Sequence, residues 1–196
     1  MHASDDNEQR QDCFQLRKAE IVELLNRYVP AESDEAEHKR TILNFLRTAR
    51  RPFDPRSFTP GHITGSALIF DDCDQKVLLI HHKRLNLWIQ PGGHVAPDDR
   101  SIVETAIREA REEVGLQLPA SAARLFDVDV HQIPAFGNDP QHLHFDFRFL
   151  IRCRQTAVDA MSDAIEACWF RLREAAEQAG NDGVKRLLVK CMELET

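Results

Sequence analysis

The stretch GGHVAPDDRSIVETAIREAREEVGL, residues 92–116, decides how the rest of the chain is read. It opens on Gly92 and Gly93 and runs into a segment carrying Glu104, Glu109, Glu112 and Glu113. Ala106, Ile107, Ala110 and Val114 supply an apolar face and predict a helix over 101–114, started near Asp99 or Ser101 and stopped at Gly115. At about 100° per residue, Glu109, Glu112 and Glu113 share one side of that helix, and Glu104 points away. Carboxylates crowded on one face repel each other, and helix propensity does not call for them. A hard divalent cation removes the conflict, because Mg²⁺ or Mn²⁺ takes oxygen ligands, keeps some waters and is commonly completed by substrate phosphates. The glycine pair lets backbone come close to such a site. The plainer alternative is a solvated acidic face in which Arg108 and Arg111 make surface pairs.

Outward from this helix the pattern is mixed. ITGSALIF (63–70) and KVLLIHH (76–82) read as strands around the turn DDCDQ, and Leu87–Ile89 is a short apolar piece before the glycines. LFDVDVHQI (125–133) and HLHFDFRFLI (142–151) alternate apolar and polar residues, separated by the turn-rich PAFGNDPQ. A short strand is expected at Cys168–Phe170, then helices in RLREAAEQ and VKRLLVKCMEL. Residues 12–50 carry helical spacing, broken at Pro30 with Ser33 as the expected N-cap, and RRPFDPRSFTPGH (50–62) reads as an extended linker. The fold class is α/β (α+β), with residues 1–60 as a helical extension and linker and 61–196 as the main domain. The extension is expected to pack on that domain or on a second subunit, which would make a homodimer.

Composition narrows the function. The 196 residues, 42% hydrophobic and 29% charged, suffice for one domain with a real core and an appendage. A formal net charge of -7 predicts no broad basic surface, so stable nucleic-acid binding is not expected. The cysteines number 5 and show no CxxC spacing, so they read as reduced, mostly buried thiols of a cytoplasmic protein. MHASDDNEQRQDC has acids where a signal peptide would be basic and then apolar, and no apolar run is long enough to span a membrane.

A second constellation lies on the later strands. His131, His142, His144 and Asp146 occupy the polar phase, opposite Val128, Val130, Leu143, Phe145 and Phe147. If that face lines a cleft, the imidazoles could donate to a phosphate or a base, or hold an additional metal; otherwise they sit on the wetter side of a sheet. His131, His144 and Asp146 are the candidate substrate-binding residues. His81–Arg84 form a short basic patch, Trp88 is expected in the core, and Phe136 could stack on a base.

Residues 93–116 resemble the box of the Nudix hydrolase family. Arg108, Glu109, Ala110, Arg111, Glu112, Glu113, Val114, Gly115 and Leu116 carry its second half in full. In the first half Asp99 stands where the family usually has glutamate, and its spacing to Arg108 is one residue longer than usual. WIQPGGHV before the box and CWF after it are also similar to the family's flanks. The resemblance implies an α/β/α sandwich around a mixed sheet. It also implies Mg²⁺- or Mn²⁺-dependent hydrolysis of a nucleoside diphosphate linked to another group, by attack of water on phosphorus. By position, Glu109, Glu112, Glu113 and the Gly92 carbonyl would hold metal, Glu112 and Glu113 would be catalytic, and Arg108 would orient the carboxylates. The water's proton would go to one of these glutamates or to a later acid, with Asp163 and Glu166 as the further ligand or base. A Nudix-fold module that binds a nucleotide without cleaving it, and a diphosphate isomerase, are the alternatives.

Overall fold

The computed structural model describes residues 2–194, with side chains from Phe14 onward, so the expectation for the Cys13 thiol lies outside the described side chains. The elements run α1 (His2–Arg27), α2 (Ser33–Thr48), β1 (Gly61–Asp71), β2 (Lys76–His82), β3 (Leu87–Ile89), β4 (Gly92–His94), α3 (Ile102–Val114), β5 (Ala123–Ile133), β6 (His142–Arg152), β7 (Ala164–Arg171), α4 (Leu172–Gln178) and α5 (Asp182–Glu193). Every expected strand and helix is present, and β4 is an addition: the glycine pair is itself a strand, antiparallel to Thr64–Ser66 of β1. No helix among the described residues is long and apolar enough to cross a membrane.

The sheet is mixed. β1 runs parallel to β6 over Gly61–Phe70 and Leu143–Arg152, and β6 runs antiparallel to β5. β1 and β2 pair only at Ile69–Asp71 with Lys76–Leu78. Beyond that point they part, β3 continues on β2 and β4 on β1, and the Ala67 N–H donates to Pro91 O at 2.8 Å. On one face α1, α2 and α3 pack Leu25, Ile42, Phe45, Ile102 and Ala106 onto Ile63, Ala67, Phe145 and Phe147. On the other, α4 and α5 pack Leu172, Val184, Leu187 and Leu188 onto Leu68, Phe70, Leu79 and Leu150. This is the α/β/α sandwich, with hydrophobic burial on both faces of one sheet.

The N-terminal helices share the first of these cores. Phe45 stacks on Phe145 with ring centroids 3.9 Å apart, and Arg17 donates to the Pro97 carbonyl at 3.3 Å and to that of Asp99. Three local expectations change. α1 begins at His2, well before residue 12. The N-cap of α2 is Glu32 rather than Ser33, and Glu35 in the first turn accepts the Ala31 N–H at 2.5 Å. Residues 50–62 are packed rather than extended, because Phe53 buries its ring against Phe14 and Pro52 O accepts the Ile63 N–H at 2.7 Å.

Charges lie inside this sandwich. Arg148 on β6, 1% exposed, donates Nε to Asp146 at 3.0 Å, Nη1 to Asp127 at 3.3 Å and to Gly183 O at 2.9 Å, and Nη2 to Asp129 at 2.6 Å. A bulge between Leu125 and Asp127 brings Phe126 into the α4–α5 core while Asp127 still meets Arg148. Arg186 of α5 binds Asp127 at 2.5 Å and Asp129 at 3.1 Å, and Lys190 joins Glu35 of α2 and the Phe126 carbonyl. Burial pushes Asp129 up, but Arg148, His131 and Arg186 outweigh it and hold its carboxyl below the usual range.

Arg148→Met should lower unfolding free energy by about 3–5 kcal/mol, because it strands buried carboxylates without their cation; urea unfolding at neutral pH reads the loss. A carboxyl held low in the fold lends stability above its unfolded pKa of about 3.9 and loses it as pH falls below. Asp129→Asn should therefore show a shallower drop in urea midpoint than wild type between about pH 5 and pH 3.

Candidate functional site

Where β1 and β2 part, the sheet opens into a cleft. Thr64 and Ser66 of β1 line it with His142, His144 and Asp146 of β6 and His131 of β5. Gly92–His94, Glu109 and Glu113 form one wall, His82, Arg84 and Asp163 another, and Pro55 and Phe58 come from the packed segment before β1.

The carboxylates are placed by local rules. Ser101 caps α3, accepting the Glu104 N–H at 3.2 Å, and Gly115 ends it at φ 74°, in the left-handed region that favours glycine. The helix lies across β4 so closely that a Cβ at Gly93 would stand 2.6 Å from Glu109 Cδ, and one at Gly92 would stand 2.3 Å from Ser66 Oγ. The Gly92 N–H donates to Glu113 Oε2 at 2.9 Å.

Arg108 organises this pole. Its Nη1 binds Glu109 and Glu112 at 2.9 Å each, Nη2 reaches His94 O at 2.6 Å, and Nε and Nη2 grip Asp99 at 3.0 Å each. Asp99 is held in turn by the Ala96 N–H at 2.8 Å and Thr105 Oγ1 at 2.9 Å. With the extra residue between Asp99 and Arg108, the shorter acid still meets the guanidinium with both oxygens. Glu104 pairs with Arg100 at 2.6 Å and takes no part.

Electrostatics distinguish the three glutamates. Glu113 is 2% exposed, and burial pushes it up to about 8 against the Gly92 N–H, with Glu109, Asp163 and Glu112 adding repulsion. Burial also raises Glu109, opposed by Arg108. The Glu112 side chain is 46% exposed. Carboxylates whose ionisation is opposed by burial and mutual repulsion, beside backbone that admits close approach, fit a hard divalent cation that would stabilise their charged form. Asp163 faces this pole across the cleft, whereas Glu166 lies on β7 opposite His81, accepts from Cys168 Sγ at 3.3 Å and does not line the cleft.

The histidine face is as the alternation predicts, with His142 and Asp146 buried and His131 and His144 half-buried. His131 stands across from His144 and binds Asp129 at 2.9 Å through Nδ1, and His144 stands across from His62 of β1. Asp146 is 2% exposed, and its oxygens accept from Thr64 Oγ1 at 2.9 Å, Ser66 Oγ at 2.8 Å and Arg148 Nε at 3.0 Å. Arg84 pairs with Asp139 at 3.4 Å and lies over the Phe136 ring, tying the turn-rich loop to the cleft wall; Phe136 itself is not in the lining. Trp88 packs edge-on to Phe170.

His62, Thr64 and Ser66 were not singled out in the sequence. Their signal is the alternation of polar positions with Ile63, Gly65 and Ala67 in one strand. Pro55 and Phe58 carried no signal, because a proline-rich stretch is equally compatible with a free linker.

Comparison with known proteins agrees with this architecture. The family model described as NUDIX domain matches residues 61–190. The chain is 40% identical over 107 residues to the "Putative 8-oxo-dGTP diphosphatase" of Bacillus subtilis (strain 168), covering 55% of this chain and 63% of that protein. It is 45% identical over 60 residues to the m7GpppN-mRNA hydrolase NUDT17 of Bos taurus, covering 28% of this chain and 20% of that one. The chain thus spans less than two thirds of the length of these curated relatives. Among solved structures, the NUDIX domain of Shewanella oneidensis NrtR complexed with ADP ribose superposes with a TM-score of 0.56 at 19% identity, covering 79% of this chain and 98% of that one. The MutT NUDIX hydrolase from Burkholderia pseudomallei gives 0.52 at 25% identity, covering 65% and 95%. With the family match spanning well over half of its length and the same fold around the glutamate helix, this chain belongs to the Nudix hydrolase family.

Proposed function

We propose that the protein is a divalent-metal-dependent pyrophosphohydrolase acting on a nucleotide or related diphosphate. The observation that carries this reading is the placement of buried Glu113 and half-buried Glu109, both raised in pKa, against glycine backbone in a cleft. Names of the relatives, an 8-oxo-dGTP diphosphatase and a cap hydrolase, support a phosphoanhydride substrate joined to a nucleoside. Glu109, Glu112, Glu113 and the Gly92 carbonyl would hold Mg²⁺ or Mn²⁺, which when bound neutralises the diphosphate and templates attack by water.

The chain's own groups do the rest. Arg108, gripped by Asp99, holds Glu109 and Glu112 in register and keeps their mutual repulsion in check. One of these glutamates, with Glu112 the most exposed of them, or Asp163 in the opposite wall would accept the proton of the attacking water. Asp146 acts through Thr64 and Ser66, fixing their hydroxyls along the floor, and His131 flanks the path on which the remainder of the substrate lies. Glu166 has no role in this arrangement. Free thiols at Cys73, Cys153 and Cys168, exposed or half-buried where burial was expected, support a cytoplasmic setting.

Product release from a panel of nucleoside diphosphate derivatives, with Mg²⁺ or Mn²⁺, tests the proposal. Glu112→Gln and Glu113→Gln should each lower kcat/KM by about 10²- to 10⁴-fold. Tight binding of a nucleotide by the wild type with no release from any substrate would replace hydrolysis with recognition alone. Gly93→Ala should raise the metal concentration needed for half-maximal rate while leaving the unfolding midpoint nearly unchanged, because the new methyl displaces only the far end of the Glu109 side chain.

A further inference from the structure

The cleft has a second pole, built from nitrogen. His62 of β1 and His142 and His144 of β6 converge so that one ring nitrogen of each lies within 4.8 Å of the others, and their ring centroids are 4.8 to 5.2 Å apart. Sheet geometry enforces this, because His62 and His144 are direct neighbours in the parallel ladder and His142 precedes His144 by two residues on the same face.

The hydrogen bonds orient these rings. His62 Nδ1 lies 3.2 Å from Ser57 O, and His142 Nδ1 lies 2.7 Å from Pro140 O. A carbonyl only accepts, so both rings carry a proton on Nδ1, which in the neutral imidazole leaves Nε2 as the lone pair. His62, 1% exposed, leaves that Nε2 buried with no protein partner, and the Nε2 of His144 is buried in the same way. Orphaned buried nitrogens of this kind are costly, and two on adjacent strands share one remedy. A backbone carbonyl on the far nitrogen is also the arrangement that presents an imidazole to a metal.

The rings are ready as ligands. Burial holds His62 down at about 4 and His144 lower still, and in both cases neighbouring imidazoles push in the same direction. At neutral pH His62 and His144 are uncharged, as coordination requires.

We propose that His62, His142 and His144 form a binding site for a transition ion of the Zn²⁺ class, separate from the carboxylate pole. Nitrogen donors select borderline-soft ions over Mg²⁺, which keeps to oxygen. At Zn–N of about 2.0–2.1 Å, tetrahedral ligands stand about 3.3 Å apart, so small side-chain rotations close the site. Asp146 supplies no ligand, since Thr64, Ser66 and Arg148 occupy its oxygens. Three imidazoles leave a fourth position open, and His142 and His144 line the same cleft as Glu109 and Glu113, with His62 buried behind them. A water or a phosphate oxygen fits that position.

The test uses the full chain stripped of metal by a chelator, without substrate, so that its outcome is independent of the hydrolase reading. Calorimetric titration in excess Mg²⁺, which occupies the carboxylate pole, with Zn²⁺ and with Co²⁺ as a visible-absorption probe, should show one further site per chain with the spectrum of four-coordinate Co²⁺. His142→Gln and His144→Gln should each weaken binding at least about tenfold, and Glu113→Gln should leave it intact. X-ray absorption at the zinc edge of the wild type, which needs no variant, should show imidazole scattering. An all-oxygen shell, unchanged binding by folded histidine variants, loss of binding in Glu113→Gln, or no stoichiometric binding by the wild type would each overturn the site.

Discussion

A guanidinium without access to water must be surrounded by acceptors, and the requirement set by Arg148 reaches nearly every layer of this protein. Its partners come from β5, β6 and the start of α5, so the strand that carries the histidines is tied to its neighbour and to the helix above it. Arg186 and Lys190 extend the same network to Glu35 of α2, on the opposite side of the sheet edge. Buried charge of this kind is a weak source of net stability compared with apolar packing. Its effect is on register, since a slip of one residue would turn every acid of β5 and β6 into the hydrophobic face.

Holding β5 and β6 in register lets the sheet open elsewhere. β1 is anchored along ten consecutive positions to β6, which frees its other edge to pair first with β4 and then with β2. The cleft lies at this change of partner. Because α3 crosses one face and the histidine strands form the floor on the other, a carboxylate pole and an imidazole pole face a single opening. Carboxylate and imidazole donors are thereby kept apart along one cleft.

Parts of this were legible in residue order. Glu109, Glu112 and Glu113 are close in sequence, and helical spacing is enough to put them on one side. The alternation in HLHFDFRFLI likewise gave the shared face of His142, His144 and Asp146. Other features depend on contacts between residues far apart in the chain. Asp146 and His144 look equivalent as a strand pair, yet Arg148 and two β1 hydroxyls saturate the first, while the second is left with an orphaned nitrogen. Phe58 and Pro55 reach the cleft only because Phe53 and Pro52 pin the segment before β1.

What the order of residues determined by itself is the local chemistry: the capped helix with its glutamates, the glycine pair that admits close approach, and the period of each strand. These follow from backbone geometry over a few residues, so no distant partner is needed to specify them. Tertiary structure alone decided which polar side chains remain available. Burial raises Glu113 and lowers His62, and the pairing of β1 with β6 brings His62 beside His144 from 82 residues away in the chain. Desolvation and long-range pairing depend on the whole packed sheet, and no short window of sequence contains them.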